Sequence, residues 1–559
     1  MKNNTLNVPE ARNLKRVWRV AAPYLLAALS GVMISLGWFT PCPTLVMLVS
    51  IVPLLFAENL IAGDSKKAKL LRVGLLAFIY VYVQNLLILY PLFLMFKGWT
   101  LLFFCFNSLL YSLLFVLFSF VRRKLGNGWG YFAFVVFSVL FDVILQNIDF
   151  SFPAIPMGFM LIGNNQTGIP FMQWYEYTGV LGGSVWILAV NVLVFLLIRD
   201  KIEKKKLRIP RLSACMATIV LPIALSLLIY YTYKEKKAPV EVVLVQPNFD
   251  PYTEKFTIDV ADQLDRMVEL AREYADSTTD VIVFPETALD SNFWYNNIND
   301  HGMVAYLRDT FLADYPEANL ITGATMLEYF MGAVPPSRDA MVAGDNLFLQ
   351  MYNAAFQVAY GQPVQVYKKD KLVLGTERNP FKKKWDSNFS GGQAINLARA
   401  EAQTIFRNGK AKVGCFICYE SLFGDYCARF ADMGADIFCT ITNDGWWLDT
   451  DLPPKHLRHA QVRAIECRRS VARCGNTGVT AGIDQRGRIV AQAPWWEPTA
   501  LKVTLNKNRT KTIYTQWGDY IGIISVLLFL LVITLTIYKL IATSRPVQSA
   551  GSIGKDRKS

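Results

Sequence analysis

The chain changes texture twice. It is apolar in long blocks up to about residue 237, mixed in short blocks from there to about residue 510, and apolar again near its end. Runs of membrane length cover Val20 to Phe39, Pro43 to Ile61, Val73 to Phe96, Thr100 to Val121, Tyr131 to Asp149, Val180 to Ile198 and Ser213 to Tyr231, and a last one covers Tyr520 to Tyr538. About 20 apolar residues are what a helix needs to cross the hydrocarbon layer, so eight transmembrane helices are predicted. Between the seventh and the eighth the period shortens. EVVLVQ reads as a buried strand, and Ile258 to Tyr274 places Ala261, Leu264, Val268 and Ala271 on one helical stripe. DVIVF is again a strand, Met303 to Asp314 a helix and NLITGAT a strand, followed by strands at Leu347 to Val358 and Val364 to Tyr367. KVGCFI, a helix over Ser421 to Met433, ADIFCTIT, a helix over Pro454 to Arg473, and the strands GVTAGI and IVAQA complete the series. Such alternation predicts a layered α/β domain with helices outside a two-sheet core. The loop from Ser151 to Tyr177, with Pro153, Pro156, Pro170 and several aromatics, is too apolar for a plain solvent loop and is expected at the membrane surface near the site.

Composition agrees with the membrane reading: 53% of the 559 residues are hydrophobic, and 36 are Phe. The net charge of +13 has a topological meaning rather than a nucleic-acid one, because the basic residues flank the apolar runs. Basic clusters precede the first run and lie between the second and third (KKAKLLR), the fourth and fifth (RRKLG) and the sixth and seventh (RDKIEKKKLRIPR); the tail after the last run is basic again. By the positive-inside rule both termini are cytoplasmic and the mixed segment lies outside. Residues 1–237 then form a seven-helix membrane domain, 238–510 an outer α/β domain, and 511–559 the last helix and a cytoplasmic tail. The first run is too long for a signal peptide and no small-residue cleavage site follows it, so it is expected to stay as an anchor.

The chemistry concentrates at three strand ends. GCFICYES places Cys418 on a strand-to-helix turn, where a helix N-terminus favours thiolate. VIVFPE ends in Glu286, and VYKKDKLVLGTE holds Lys369 and Glu377. A carboxylate, an ammonium and a thiol are a base, an oxyanion partner and a nucleophile, the parts of acyl transfer. Each also has a plainer reading: a packed cysteine, a loop carboxylate, a charged surface turn. A Cys–His pairing is the rival, with His456 or His459 as base, but no Asn or Asp partner is evident for it. The nine Cys and three His offer no zinc spacing, since the lone C-x-x-C of Cys415 and Cys418 lacks a second half; no metal and no cofactor are expected.

The set FPE, YKK…E and CYE resembles the Glu-Lys-Cys triad of the nitrilase superfamily, and with seven spans before that domain and one after, the chain resembles the bacterial apolipoprotein N-acyltransferases. VQPN (Val245 to Asn248), YN (Tyr352-Asn353), TNDGWW (Thr442 to Trp447), HLRHAQVRAIE (His456 to Glu466), GNTGVTAGIDQRG (Gly475 to Gly487), FP…GF and Gly182-Gly183-Ser184 extend the resemblance over nearly the whole chain. It implies an αββα nitrilase-like sandwich inserted between helices seven and eight. Glu286 would be the general base, Lys369 the oxyanion stabiliser and Cys418 the acylated nucleophile. Glu377 would orient Lys369 or share protons, Asn353 would support the site, and Tyr419, Glu420 and Trp446 would line the pocket and its entrance. Trp447 and Phe256 join Trp446 as implied substrate contacts, Phe256 standing where the family often has Trp. The family's P-F-G-E reads L-G-T-E here, Leu374 to Glu377.

The resemblance also implies substrates and place. A phospholipid of the phosphatidylethanolamine type would give an acyl chain to Cys418, and the S-diacylglyceryl cysteine of a lipoprotein would take it, in ping-pong order. The enzyme would be a monomer in the bacterial inner membrane, catalytic domain on the periplasmic side. Two other readings stay open: a membrane-tethered nitrilase-type amidase, and a transporter or sensor whose outer domain binds a ligand.

Overall fold

A computed structural model of the protein describes residues 8–41, 43–62, 69–148, 155–163, 166–378 and 396–544. Among them, eight helical segments are long and apolar enough to cross a membrane: Val20–Phe39, Pro43–Ile61, Lys69–Ile88, Trp99–Leu125, Asn127–Asn147, Tyr175–Ile202, Ile209–Thr232 and Tyr520–Thr543. These are the eight expected runs, with two internal corrections. The second is two helices, Pro43–Met47 and Val52–Ala62, and the restart places Pro53 in a first turn, where its missing N–H is harmless. The third stops at Ile88 instead of running to Phe96, because Pro91 cannot continue a helix; a separate short helix, Leu92–Phe96, follows. The expected end of the fifth run at Asp149, and the start of the loop at Ser151, lie outside the described residues.

Much of what is described of that loop is buried. Phe159, Met160, Leu161 and Ile162 of the 3-10 turn Met157–Ile162 are all in the core. Gly158 N–H donates to Ser184 Oγ at 3.0 Å and Gly158 O accepts from Tyr175 at 2.6 Å. A Cβ on Gly158 would stand 2.2 Å from the Val180 carbonyl, so the approach requires glycine. At Gly179 (φ 62°) the sixth helix bends, and the Val180 N–H beside the bend donates to Glu466 at 3.1 Å.

After the seventh helix the described residues form thirteen strands: β1 (Pro239–Gln246), β2 (Val281–Val283), β3 (Leu289–Trp294), β4 (Asn319–Met331), β5 (Met341–Gly344), β6 (Leu347–Ala359), β7 (Gln365–Lys368), β8 (Val413–Ile417), β9 (Ile437–Thr442), β10 (Val471–Gly475), β11 (Ala481–Ile483), β12 (Ile489–Gln492) and β13 (Thr499–Asn506). One sheet runs β13-β1-β2-β4-β6-β5, with β3 on β4 and β7 on β6; the other runs β12-β11-β10-β9-β8. They pack face to face. Val242, Leu244, Val283 and Ile321 share one core with Cys415, Ile417, Ile441 and Cys474. The alternate residues Val243 and Val245 turn outward against Leu264, Met267, Val268 and Ala271 of the helix Val260–Tyr274, which is the period-two division of a strand buried on both faces. The helices Gly424–Asp432 and Leu452–Cys467 pack on the second sheet, so the expected αββα order is present.

Three further readings are corrected. Met303 to Asp314 is not one helix but three short turns, Gly302–Tyr306, Leu307–Phe311 and Leu312–Asp314. The helix expected to reach Arg473 ends at Cys467, where Arg468 takes a left-handed conformation (φ 49°, ψ 49°), and Val471–Gly475 is a strand. β3, β5 and β13 were not expected; β5 is exposed throughout and β3 carries Asp290 and Ser291, so neither has a strong apolar signature. The eight cysteines described are all free thiols.

Within the membrane bundle Arg122 meets Glu58 at 2.7 Å, with both side chains buried, and Ser119 donates to the same carboxylate at 2.5 Å. Removing one partner of a buried pair strands the other charge, at about 3–5 kcal/mol. Arg122→Met is therefore expected to lower the melting temperature in detergent sharply, and Glu58→Gln added to it is expected to restore most of the loss.

Candidate active site

Glu286, Lys369 and Cys418 each stand just beyond a strand, after β2, β7 and β8, and the sandwich brings the three strand ends together. Glu286 and Lys369 are buried. Lys369 Nζ lies 3.1 Å from Glu286 Oε1 and 2.8 Å from Glu377 Oε1. Asn353, on β6, donates through Nδ2 to the same two oxygens at 2.8 and 2.7 Å, and its carbonyl accepts the Lys369 N–H at 2.8 Å. The second oxygen of Glu286 accepts the Asn443 N–H at 3.1 Å, and that of Glu377 accepts the Val373 N–H at 2.7 Å. One ammonium is thus held between two carboxylates whose orientations are separately fixed. Burial alone would lower the Lys369 pKa, but Glu286, Glu377 and the nearby Cys418 hold it well above the ordinary lysine value.

Cys418 follows β8 with φ 50°, a left-handed conformation that a non-glycine residue adopts only when its surroundings impose it. The imposing groups are visible. Glu420 Oε2 accepts the Ile417 N–H at 2.8 Å and the Tyr367 hydroxyl at 2.6 Å, and Oε1 accepts the Asp370 and Lys371 N–H groups at 2.8 and 3.2 Å. Glu420 is therefore wholly buried and ties the Cys418 turn to the segment after Lys369; it does not line a pocket as the resemblance implied. Burial pushes its carboxyl up to about 7, with the Ile417 N–H and the Tyr367 hydroxyl opposing.

Behind the turn stands a second chain of contacts. His456 Nε2 lies 3.1 Å from the Cys418 carbonyl oxygen and 3.0 Å from Ser421 Oγ, and its Nδ1 lies 2.9 Å from Asp444 Oδ1. Arg473 donates to Asp444 Oδ2 at 2.6 Å. Against the burial that would raise it, Arg473 and His456 hold the Asp444 carboxyl down at about 2. His456 does have the acidic partner that the sequence failed to reveal, yet it faces the Cys418 backbone and supports the turn. Asp444 and Arg473 are far apart in sequence; TNDGWW holds Asp444 and HLRHAQVRAIE holds His456, but no motif singled out in the sequence holds Arg473. His459 stacks on Phe159 at 3.9 Å, and burial lowers its pKa well below the ordinary histidine value.

The rim is aromatic. Trp446 stacks on Phe256 at 6.0 Å and meets Tyr252 edge-on at 5.4 Å, and the Tyr252 hydroxyl donates to the Trp446 carbonyl. Phe256 and Tyr252 are half exposed. Tyr419 and Trp447 cluster with Leu92, Phe96, Val373 and Leu452, and Trp447 Nε1 donates to Met95 Sδ at 3.0 Å. Met95 and Phe96 belong to the short helix that Pro91 splits from the third span, so the end of a membrane helix completes the site's edge. Trp447 is committed to that seam and to an edge-on contact with His456 at 5.4 Å; Trp446 and Phe256 are the more open pair. Among the described residues no group of three or more His, Cys, Asp or Glu side chains is gathered as a metal centre would be.

Comparison with known proteins gives the same two parts. A family model described as carbon-nitrogen hydrolase matches residues 242–514, and one described as apolipoprotein N-acyltransferase N-terminal domain matches residues 30–193. The apolipoprotein N-acyltransferase of Chlorobaculum tepidum is 29% identical over 426 residues, 73% of this chain and 76% of that protein. That of Geobacter metallireducens is 25% identical over 526 residues, 89% of this chain and 92% of the relative. Nit3 of Saccharomyces cerevisiae, a member of branch 10 of the nitrilase superfamily, is 18% identical with a TM-score of 0.36, covering 51% of this chain and 95% of Nit3. The α/β domain is of the carbon–nitrogen hydrolase class, carried by a multi-pass membrane protein. With both parts matched in order, the chain belongs to the apolipoprotein N-acyltransferase family.

The thiol state corrects one expectation. Burial, and then the Glu286 carboxylate, push the Cys418 thiol well above its ordinary value despite the opposing Lys369 charge, so the resting sulfur is protonated rather than thiolate. Alkylation of Cys418 by a small neutral haloacetamide, followed by peptide mass mapping, is expected to be slow at pH 7 and still to be accelerating at pH 9. A rate that levels off near neutrality would mean a preformed thiolate.

Proposed function

We propose that this chain transfers a fatty-acyl group from a membrane phospholipid to the α-amino group of a lipoprotein's S-diacylglyceryl cysteine, through a thioester on Cys418. The supporting observation is the buried Glu286–Lys369–Glu377 network beside Cys418, opening through an aromatic rim onto the end of a membrane helix. Glu286 takes the Sγ proton as sulfur attacks the ester carbonyl carbon. A protonated thiol whose base sits in the same buried network needs that transfer during the attack, not before it. Lys369 has three N–H donors, of which Glu286 and Glu377 engage two; the third serves the oxyanion of the tetrahedral intermediate. Collapse breaks the acyl C–O bond, and Glu286 returns the proton to the leaving lysophospholipid oxygen. The neutral amine then attacks the thioester, its proton passes through Glu286, and the C–S bond breaks to give amide and thiol.

Water would also attack the thioester, and the apolar rim of Tyr419, Trp446 and Phe256 works against its entry. Glu420 and His456 hold the Cys418 turn, and Asn353 holds both carboxylates. By the same reading, residues 1–237 form the seven-helix domain, 238–510 the periplasmic catalytic domain and 511–559 the last span and cytoplasmic tail. The enzyme is a monomer of the bacterial inner membrane with both termini cytoplasmic, and its donor is of the phosphatidylethanolamine type.

Intact-mass spectrometry after incubation with phospholipid tests this directly. The expected result is an added fatty-acyl mass that hydroxylamine removes and that Cys418→Ala lacks; folded protein that acquires no adduct in accessible lipid would overturn it. Support of the turn by His456 has its own signature. His456→Ala is expected to lower kcat by about 10²-fold, the scale of a 1 Å misplacement, with KM changed only a few-fold. His456→Gln, whose side-chain amide can donate to the Cys418 carbonyl, should recover part of the loss.

A further inference from the structure

At the far edge of the second sheet from Cys418, the turn between β11 and β12 meets the end of the seventh membrane helix and leaves an open cleft of about 550 Å³. We propose that this cleft binds the phosphodiester headgroup of an anionic phospholipid in the leaflet facing the α/β domain. The proposal rests on the chain being membrane-embedded and does not depend on the acyl-transfer chemistry.

Position comes first. Tyr230, Tyr231 and Tyr233 stand where the helix Ile209–Thr232 ends, at the depth where amphipathic rings settle among headgroups. Only 11% of that helix's apolar window is buried against protein, so lipid reaches the cleft mouth along its side. Tyr231 is 75% exposed.

Charge comes second. Lys234, Arg486 and Arg488 line the cleft, opposed by Glu235 and Asp484. Both carboxylates are occupied, Glu235 by neutral donors and Asp484 by the two arginines of its own turn. Glu235 accepts the Gln485 N–H at 2.6 Å and Asn506 Nδ2 at 2.9 Å. Asp484 Oδ1 accepts the N–H groups of Arg486 and Arg488, both at 2.9 Å, and its Oδ2 takes Arg488 Nε at 2.7 Å with Arg486 Nη2 at 3.7 Å. The turn is thereby rigid, and it presents the remaining guanidinium edges to the cleft. Arg486 Nε is buried with no hydrogen-bond partner, and its guanidinium lies over the Tyr230 ring at 5.6 Å. Three cations against two occupied carboxylates leave net positive charge facing a headgroup layer. A planar guanidinium matches phosphate oxygens in pairs.

The anchoring of the turn is independent of any ligand. Gln173 Nε2 donates to the Arg486 carbonyl at 3.0 Å and Gln461 Nε2 to the Gly487 carbonyl at 2.7 Å, so the cleft walls are fixed to the membrane bundle and to the helix Leu452–Cys467. Lys234 and Arg488 are exposed; replacing them leaves the Gln173 and Gln461 anchors and the Asp484 Oδ1 bonds to backbone N–H groups in place and removes the Arg488 donor to Asp484 Oδ2.

The test uses the full chain as Cys418→Ala, which abolishes any turnover, in phosphatidylcholine nanodiscs carrying a trace of phosphatidylglycerol with a photoreactive headgroup. Cross-linked peptides are mapped by mass spectrometry. Label is expected on the segments around Tyr231 to Glu235 and Asp484 to Val490, and Lys234→Gln/Arg488→Gln is expected to lower it at least about fivefold, one basic residue's share at an anionic surface. Unchanged labelling in that variant, equal labelling by a phosphatidylcholine probe, or label confined to peptides around Cys418 would each overturn the site. Displacement of the label by millimolar glycerol phosphate would overturn the lipid assignment in favour of a free phosphate ester. Failure to form a thioester in the unsubstituted protein would leave this result unaffected.

Discussion

A single buried ammonium sets the terms for the α/β domain. Lys369 has almost no exposure, and a lone lysine charge so placed would shed its proton rather than bear the desolvation. It keeps the proton because Glu286 and Glu377 both face it, at 3.1 and 2.8 Å. Two carboxylates that close to one another would repel, so each needs donors of its own. Asn353 serves both, and the Asn443 and Val373 N–H groups serve one each. These donors come from β6, from the end of β9 and from the segment after β7. The ion cluster therefore holds only if both sheets keep their spacing, and the spacing of the sheets in turn puts Cys418 within reach of the same charges.

The nucleophile's turn carries the opposite kind of constraint. A left-handed cysteine is strained, and the strain is held by buried polar groups rather than by glycine: Glu420 from in front, His456 and Asp444 from behind. A buried carboxylate accepting four hydrogen bonds is a rigid connector, since losing any one of them leaves an oxygen lone pair unmatched in a dry environment. Glu420 links the Cys418 turn to the backbone at Asp370 and Lys371, next to Lys369. The two proposed catalytic side chains are thus joined by a buried brace, so a residue two positions from Cys418 is taken up by backbone donors and the Tyr367 hydroxyl.

Much of this was legible before the structure. Long apolar runs and the alternation of basic loops gave eight spans because the bilayer demands length and hydrophobicity at once. The three strand-end residues stood out because polar groups following buried runs emerge at sheet edges. What stayed hidden depends on contacts between distant segments. The strand β10 was read as the end of a helix because Arg473 continues an apparent period, while the left-handed Arg468 that stops the helix has no glycine to announce it. Edge strand β5 is exposed throughout, and in β13 the apolar face of Leu501, Val503 and Leu505 is interleaved with Lys502 and Thr504. Asp444 stands within TNDGWW with nothing to mark its role, and its pairing with His456 and Arg473 needs the fold. The break at Pro91 was legible in principle, but a proline inside a long apolar run is common enough in membrane helices to be passed over.

The membrane bundle and the catalytic turn are also one mechanical object. Arg463 pairs with Glu466 at 2.8 Å, and Glu466 accepts the Val180 N–H where Gly179 bends the sixth helix. The same Arg463 donates toward the Leu422 carbonyl at 3.3 Å, four residues beyond Cys418. One helix, Leu452–Cys467, therefore carries His456 against the nucleophile's carbonyl, His459 against Phe159 of the membrane loop, and Glu466 against the kink. These attachments fix where the site lies relative to the bilayer, with Tyr419 and Trp447 seated on Phe96 and Met95 at the end of the third span. For the proposed reaction, in which substrates arrive along the membrane and water would destroy a Cys418 thioester, that fixed depth would itself be part of the catalytic apparatus: it would decide which carbonyl reaches Cys418 and keep the approach apolar.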